Sequence, residues 1–175
     1  MNKHTIIVII ASIVIVVPFA YSAWNIFILN NLEIRSSQHG QFSFFEISNN
    51  RAIEVCNPSP FYVSFDRLDI SIFYQEDNKG TYSLPSSIIS PSSLSIIEGT
   101  FRSESYSESQ YTFLHMDSQF GGTVPIRLDP NQMIVATNIQ TSILGLIPYS
   151  ITNQYSAFDF YNIMNEKDRE ISCED

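Results

Sequence analysis

An apolar stretch near the N-terminus limits what this chain can fold into. No residue in the range 5–32 carries a charge, and residues 6–29 are mostly aliphatic or aromatic. An α-helix needs about 20 such residues to cross a hydrocarbon core of roughly 30 Å, and a single segment in lipid must be helical to pair its own backbone. The stretch therefore predicts a membrane anchor along which lie Ile6, Val14, Pro18, Trp24 and Leu29.

The residues at the ends of this stretch predict an orientation. Tyr21 and Trp24 lie where aromatic side chains would meet the far interface, and a membrane helix tolerates a proline such as Pro18. Lys3 precedes the stretch, whereas Glu33 is the first charged residue after it. The positive-inside rule then puts the N-terminus in the cytoplasm and the rest of the chain outside.

A cleavable signal peptide is the competing interpretation. Ala20-Tyr21-Ser22 has the small-x-small pattern of a cleavage site. The apolar character resumes over residues 24–29, so the stretch is longer than the roughly 7–15 residues of a usual signal core. We therefore favour a retained anchor, and both interpretations export the rest of the chain.

The remainder has room for one folded domain. The chain has 175 residues, and domains most often run to about 100–150. A hydrophobic fraction of 44% and an aromatic fraction of 13% are enough for a buried core. The formal net charge is −9 and the basic residues are mostly scattered. We therefore expect no nucleic-acid partner, because phosphate binding needs clustered Lys and Arg.

The two cysteines, Cys56 and Cys173, lie far apart in the sequence. They predict no metal site, since such a site ordinarily needs more ligands at short spacing. A disulfide is allowed in an oxidising compartment. Nothing in the sequence brings the two positions together, so we expect two unpaired thiols.

Short segments rich in β-branched, aromatic and hydroxyl residues follow the anchor, with turn signals between them, as in an all-β sandwich. We divide the chain into an anchor and its flank at 1–32, a linker at 33–40, a β-sandwich domain at 41–161 and a charged, frayed tail at 162–175. Residues 102–110 fit either a loop or the start of a short helix. The predicted strands cover residues 41–47, 52–56, 68–74, 81–84, 92–101, 111–116, 123–128 and 133–140.

One hairpin is predicted more clearly than the others. Apolar and polar residues largely alternate over residues 68–74, which is typical of a strand with one buried face. Asp77-Asn78-Lys79-Gly80 follows and predicts the turn, because Asn and Gly readily adopt positive φ.

A motif at residues 57–61 carries a family resemblance. Asn57-Pro58-Ser59-Pro60-Phe61 ends a predicted strand, and an alternating strand, Gly80 and Gly99-Thr100-Phe101 follow in order. This arrangement resembles the water-stress and hypersensitive-response domain of the group 2 late-embryogenesis-abundant proteins. Residues 143–149 are similar to the closing strand of such domains. The resemblance implies an immunoglobulin-like or fibronectin type III-like sandwich of about seven strands, often attached to one N-terminal membrane helix.

The motif also has a physical interpretation of its own. Pro58 and Pro60 lack backbone donors and keep the preceding residues extended, so the strand should end at Asn57. The Asn57 side chain can bond to the turned backbone, and we expect Phe61 to plug one end of the sandwich. These are structural roles.

No catalytic, cofactor-binding or metal-binding residue is predicted. His39 and His115 have no nearby Cys or His in the sequence, and the carboxylates beside predicted strands, Glu54, Glu98, Asp117 and Asp129, cannot be placed together from sequence. We therefore expect a single-pass, non-enzymatic membrane protein without cofactors. The resemblance implies a stress-protective module that stabilises or binds proteins or membranes at the cell surface. The alternative is a subunit of an envelope complex that docks a protein partner.

Overall fold

The computed structural model describes residues 3–36, 42–120, 128–165 and 173. An apolar helix, α1 (Lys3–Leu29), leads into a domain of antiparallel strands with three further helices. The strands are β1 (Glu33–Ser36), β2 (Ile53–Asn57), β3 (Val63–Phe65), β4 (Arg67–Tyr74), β5 (Asp77–Leu84), β6 (Ser87–Ile89), β7 (Ser93–Ile97), β8 (Thr100–Arg102), β9 (Met133–Ile143) and β10 (Ile147–Ser156). The other helices are α2 (Phe44–Ser48), α3 (Tyr106–Phe120) and α4 (Ala157–Asn165), with a 3₁₀ turn at Pro130–Gln132.

Hydrogen bonds join the described strands into three antiparallel sheets. One has five strands in the order β10-β9-β4-β5-β8, another has three in the order β1-β2-β7, and the third pairs β3 with β6. The long β4, β5, β9 and β10 form the centre and one edge of the largest sheet. Strands therefore dominate the domain, as the turn-separated segments predicted.

One hydrophobic cluster unites the sheets with all four helices. Val55 of β2 and Ile70 of β4 belong to it, as do Phe44, Phe113 and Phe160 from α2, α3 and α4. The prediction of an all-β fold is therefore correct only in part, because helices supply much of the aromatic core.

Two predicted strands are helices instead. Residues 44–47 of the segment predicted as strand 41–47 lie in α2, while residue 41 falls outside the described chain. Residues 111–116 lie within α3, whose buried residues are Ser109, Thr112, Phe113 and Met116. That spacing of three, four and seven is the helical period, and it overrides the β-forming composition. The predicted strand at 123–128 lies outside the described residues except for its last position.

The predicted hairpin exists, but its turn lies two residues earlier than expected. Gln75 and Glu76 make the turn with φ of 52° and 71°, and Asp77 already pairs with Tyr74. The pairing then shifts between Ile72 and Phe73, so the Asn-Lys-Gly sequence forms an irregularity in β5 instead of a turn.

Four other segments differ from prediction. The expected linker at 33–40 begins with β1, which pairs with β2, and the expected tail at 162–175 begins inside α4. The segment 92–101 is split into β7 and β8 at Glu98 and Gly99. Residues 143–149, expected to be one closing strand, contain the β9–β10 turn at Leu144 and Gly145, both with positive φ.

Candidate functional site

The C-terminal end of α1 is built into the domain. Every residue in the range 3–21 is exposed, whereas Ser22, Asn25, Ile28 and Leu29 are buried. Ser22 and Asn25 are three residues apart, and Ile28 and Leu29 follow Asn25 by three and four, so all four lie on one face of the helix. Ile28 and Leu29 belong to the main hydrophobic cluster, so the last two turns of α1 are part of the domain core. We call this contact the helix junction.

Asn25 is the polar centre of the helix junction. Its side-chain Nδ2 donates to the Ser64 carbonyl at 2.9 Å, and its Oδ1 accepts from the Ser64 N–H at 2.9 Å. The amide thus pairs with β3 as a neighbouring strand would. Nδ2 also lies 3.3 Å from the Thr141 hydroxyl on β9. With Asn25 only 6% exposed, these bonds form where water cannot easily replace them.

Two further contacts fix the helix. The Leu144 N–H, in the β9–β10 turn, donates to Ser22 Oγ at 3.0 Å. The Trp24 ring meets the Phe61 ring edge-on, with centroids 5.4 Å apart and an interplanar angle of 85°, a favoured geometry for aromatic pairs. The helix is therefore held from two sides.

The chain passes from α1 to β1 without a flexible spacer. The Asn31 N–H donates to the Ile28 carbonyl and the Leu32 N–H to the Leu29 carbonyl, which closes the last helical turn. Glu33 then pairs directly with Cys56 across β1 and β2. Strand β1 therefore occupies the first four residues of the expected linker, Glu33–Ser36, and residues 37–40 lie outside the described chain.

Asn57 organises the motif that carried the family resemblance. Its side chain is fully buried and donates to the carbonyls of Phe61 at 2.8 Å and Ser90 at 3.0 Å. It also accepts from the Ser59 N–H at 3.1 Å. Asn57 thus joins the loop containing Pro58 and Pro60 to the β6–β7 connection.

Phe61 does not plug the domain, contrary to expectation. Its side chain is 52% exposed, and its ring packs on Trp24 of α1. The two prolines turn the chain so that Phe61 points toward the helix. The motif therefore ends at the helix junction.

Gly99 has a packing role. A Cβ added to it would lie 2.3 Å from the Tyr82 ring, and its N–H donates to the Tyr82 hydroxyl at 2.8 Å. That hydroxyl donates in turn to the Arg51 carbonyl. Burial is the main cause that raises the pKa of Tyr82 to about 12, so the phenol stays protonated as the donor.

The two cysteines form a disulfide, with Cα atoms 5.9 Å apart. The expectation of two unpaired thiols is wrong. The bond joins β2 to a residue beyond α4 and closes a sequence separation of 117 residues. Sequence alone did not bring these positions together, because their proximity depends on how α4 packs.

Asp117 and Glu54, two of the four candidate carboxylates, have separate structural partners. Asp117 accepts from Ser43 Oγ at 2.7 Å and from the N–H groups of Phe44 and Phe45, which fixes the start of α2. Its burial raises the pKa of the Asp117 carboxyl, although the three donors oppose this. Glu54 pairs with Arg35 across β1 and β2. Within the described part of the chain, no group of three or more His, Cys, Asp or Glu side chains could hold a metal ion.

His115, Asp129 and Glu98 add no such cluster, and Glu98 is exposed. The His115 ring lies edge-on to Tyr111 with centroids 4.2 Å apart. Asp129 accepts from the Asn131 N–H at 3.0 Å in the 3₁₀ turn. His39 lies outside the described residues.

The helix junction was missed at the sequence level, but it had a signal. Asn25 and Ser22 are polar residues three positions apart in an otherwise apolar half-helix. Such a pair marks a face that meets protein.

Comparison with known proteins leaves the chain's family open. No protein-family model matches it, and none of the curated proteins matches it at a significant level.

Proposed function

We propose that this chain is a single-pass membrane protein whose exported domain is held rigidly at the membrane surface as a non-enzymatic binding or protective module. The observation that carries the proposal is the helix junction. α1 is long and apolar enough to cross a membrane, yet its last two turns lie in the domain core. The domain and the helix therefore move as one body.

The exposed part of α1 has the length for a span. Residues 3–21 number 19 and are all exposed, and at 1.5 Å per residue they extend for about 28 Å. This matches the roughly 30 Å hydrocarbon core. An exposed apolar helix of this length is unfavourable in water and favourable in lipid.

The disulfide supports an exported domain. Disulfides persist in oxidising compartments and are rare in the cytosol. The Cys56–Cys173 bond therefore agrees with the orientation in which Lys3 stays on the cytoplasmic side. The Ser22 contact with Leu144 supports retention of the helix, because cleavage after Ala20-Tyr21-Ser22 would remove both the span and this contact.

The proposed activity is stabilisation or binding of proteins or membranes. The five-stranded and three-stranded sheets share one cluster, which supports interpreting the domain as a sandwich. The Asn57 motif supports the resemblance to the water-stress and hypersensitive-response domain. Asp117 and Asp129 accept from backbone N–H groups and Glu54 pairs with Arg35, which supports a module without catalysis.

One observation favours the second candidate, docking of a protein partner in an envelope complex. Strand β10 is an edge of the largest sheet, and Ile151 is its one buried position. An exposed edge presents unpaired backbone groups that a partner strand can bind.

A topology experiment tests the anchor. Epitope tags are placed at both ends of the full chain, and intact cells are treated with protease. We expect the protease to remove the C-terminal tag alone. We also expect the mass of the purified, untreated chain to include residues 1–22. Protection of the C-terminal tag, or a mature chain lacking the helix, would contradict the proposal.

A second experiment tests the activity. The full chain in lipid nanodiscs is added to a heat-labile client, with empty nanodiscs as control. Suppression of aggregation supports protection. The docking candidate would instead be supported if an excess of the chain over the client left aggregation unchanged and membrane cross-linking captured one stoichiometric partner.

A further inference from the structure

The β9–β10 turn ends in an exposed apolar tip. Leu146 is 84% exposed and Ile147 is 54% exposed. They follow Leu144 and Gly145, whose φ values of 57° and 69° make the turn. Turns at a water-facing surface usually carry polar residues. We call residues 144–149 the hairpin tip.

The hairpin tip lies beside α1, next to the C-terminal end of the exposed segment 3–21. The bond from the Leu144 N–H to Ser22 Oγ fixes one side of the tip to the helix. A groove of about 820 Å³ adjoins this contact. It is lined by Leu144 and Gly145 of the tip and by Val14 and Pro18 of α1. Val14 lies eight residues before Ser22, about 12 Å along the helix toward its N-terminus. The tip therefore faces the segment proposed to lie in lipid.

The local sequence suits a lipid surface. No charged residue occurs between Asp129 and Asp159, so both strands of the hairpin lack charge. Tyr149 is 41% exposed at the base of the tip, and tyrosine favours the membrane–water interface. Trp24, two residues beyond Ser22, has the same preference and marks the same level of the molecule.

We propose that the hairpin tip is a second membrane-contacting element that inserts into the outer interface beside α1. This inference rests on the proposed anchoring of the chain. The helix fixes the position of the domain, and the tip prevents the domain from tilting about the helix axis. The lipid bilayer is the occupant because the tip is continuous with the apolar surface of α1 through the shared groove.

Tryptophan quenching by lipid tests the inference in the full chain. Trp24 is the one tryptophan of the sequence, so Trp24→Phe provides a silent background. Leu146→Trp is placed in that background, and the protein is reconstituted in phosphatidylcholine vesicles with brominated acyl chains. Ile134→Trp is the matched control. Ile134 is also exposed and apolar, and it lies nine residues from Ile143 on β9, about 30 Å along the strand.

We expect the tryptophan at position 146 to be quenched at least about twofold more than the one at position 134, because interfacial segments lie roughly 5–10 Å into the headgroup and acyl boundary. Equal, weak quenching at both positions would overturn the inference, including the case in which a protein partner covers the tip. Quenching of Trp24 in the unmodified chain distinguishes failure of the tip inference from failure of the proposed anchor. Quenching of native Trp24 with none at position 146 refutes the tip alone, whereas no quenching of Trp24 refutes the anchor.

Discussion

Replacing Asn25 with alanine should detach the helix junction. Asn25→Ala removes both bonds to Ser64 and the contact with Thr141. An unsatisfied buried backbone group costs about 1–3 kcal/mol. Ser64 is only partly buried, so the lower end applies to its N–H and carbonyl. Alanine is the better helix former by a few tenths of a kcal/mol, which offsets little. We expect a loss of about 2 kcal/mol in the free energy of unfolding, or roughly 30-fold in the equilibrium constant.

Urea unfolding of the full chain in detergent micelles measures this loss. Trp24 fluorescence reports the helix junction directly because its ring packs on Phe61, and circular dichroism reports the strands. Asn31→Ala is the matched control, since Asn31 is exposed and its side chain bonds to the Phe27 carbonyl of its own helix. We expect the control to lose about 0.5 kcal/mol or less.

A charge variant sharpens the experiment. Asn25→Asp keeps the acceptor for the Ser64 N–H but turns a carboxylate oxygen toward the Ser64 carbonyl. It should lose at least as much stability as Asn25→Ala at neutral pH. The reasoning is refuted if Asn25→Ala unfolds with the same midpoint as Asn31→Ala, or if Asn25→Asp matches the unmodified chain.

Three further predictions concern the domain. Gly99→Ala should lose about 1–3 kcal/mol in chemical unfolding, because the new Cβ overlaps the Tyr82 ring; an unchanged midpoint would refute this packing role. Replacing Cys56 and Cys173 together with alanine should cost about 2–5 kcal/mol in thermal unfolding, since the bond closes a long loop; equal stability would contradict it. Burial raises the pKa of Asp117, so the folded state binds that proton more tightly than the unfolded chain. The stability of the unmodified chain relative to Asp117→Asn should therefore be greatest below about pH 4 and fall as pH rises through the raised pKa; a difference that grows with pH would contradict it.

Local pattern was enough to predict the elements whose burial repeats along one strand or helix. The alternation over residues 68–74 predicted β4, and the uncharged run over residues 6–29 predicted α1. In both segments the apolar pattern indicates directly which side chains avoid water: alternate residues in β4 and nearly all residues in α1. The Asn57 side chain likewise bonds to the turned backbone of its own loop.

Features that depend on tertiary partners could not be predicted in the same way. α2 is a helix partly because Asp117, more than 70 residues away, accepts from its first N–H groups. The Cys56–Cys173 bond joins positions 117 residues apart in the sequence, so no local pattern indicates it. The turn at Gln75 and Glu76 adopts positive φ without glycine, so the Asn-Lys-Gly sequence nearby was the misleading signal.

The helix junction lay between these cases. Ser22 and Asn25 were visible as polar residues three positions apart, but the apolar context favoured reading the whole segment as lipid-facing. Their partners lie far away in the sequence, Ser64 in β3 and Leu144 in the β9–β10 turn. The sequence of the helix alone therefore does not distinguish a face that meets protein from one that meets lipid.

Rigid mounting of the domain on its helix is the central claim, and a spin-label distance measurement in lipid nanodiscs tests it most directly. Labels are attached through Val8→Cys in the exposed part of α1 and Ile96→Cys on β7, both exposed positions. The two native cysteines are already paired, so they do not compete for the label. We predict one narrow distance distribution that broadens when a Gly-Ser spacer is inserted after Asn31. A broad distribution in the unmodified chain, unchanged by the spacer, would contradict the account.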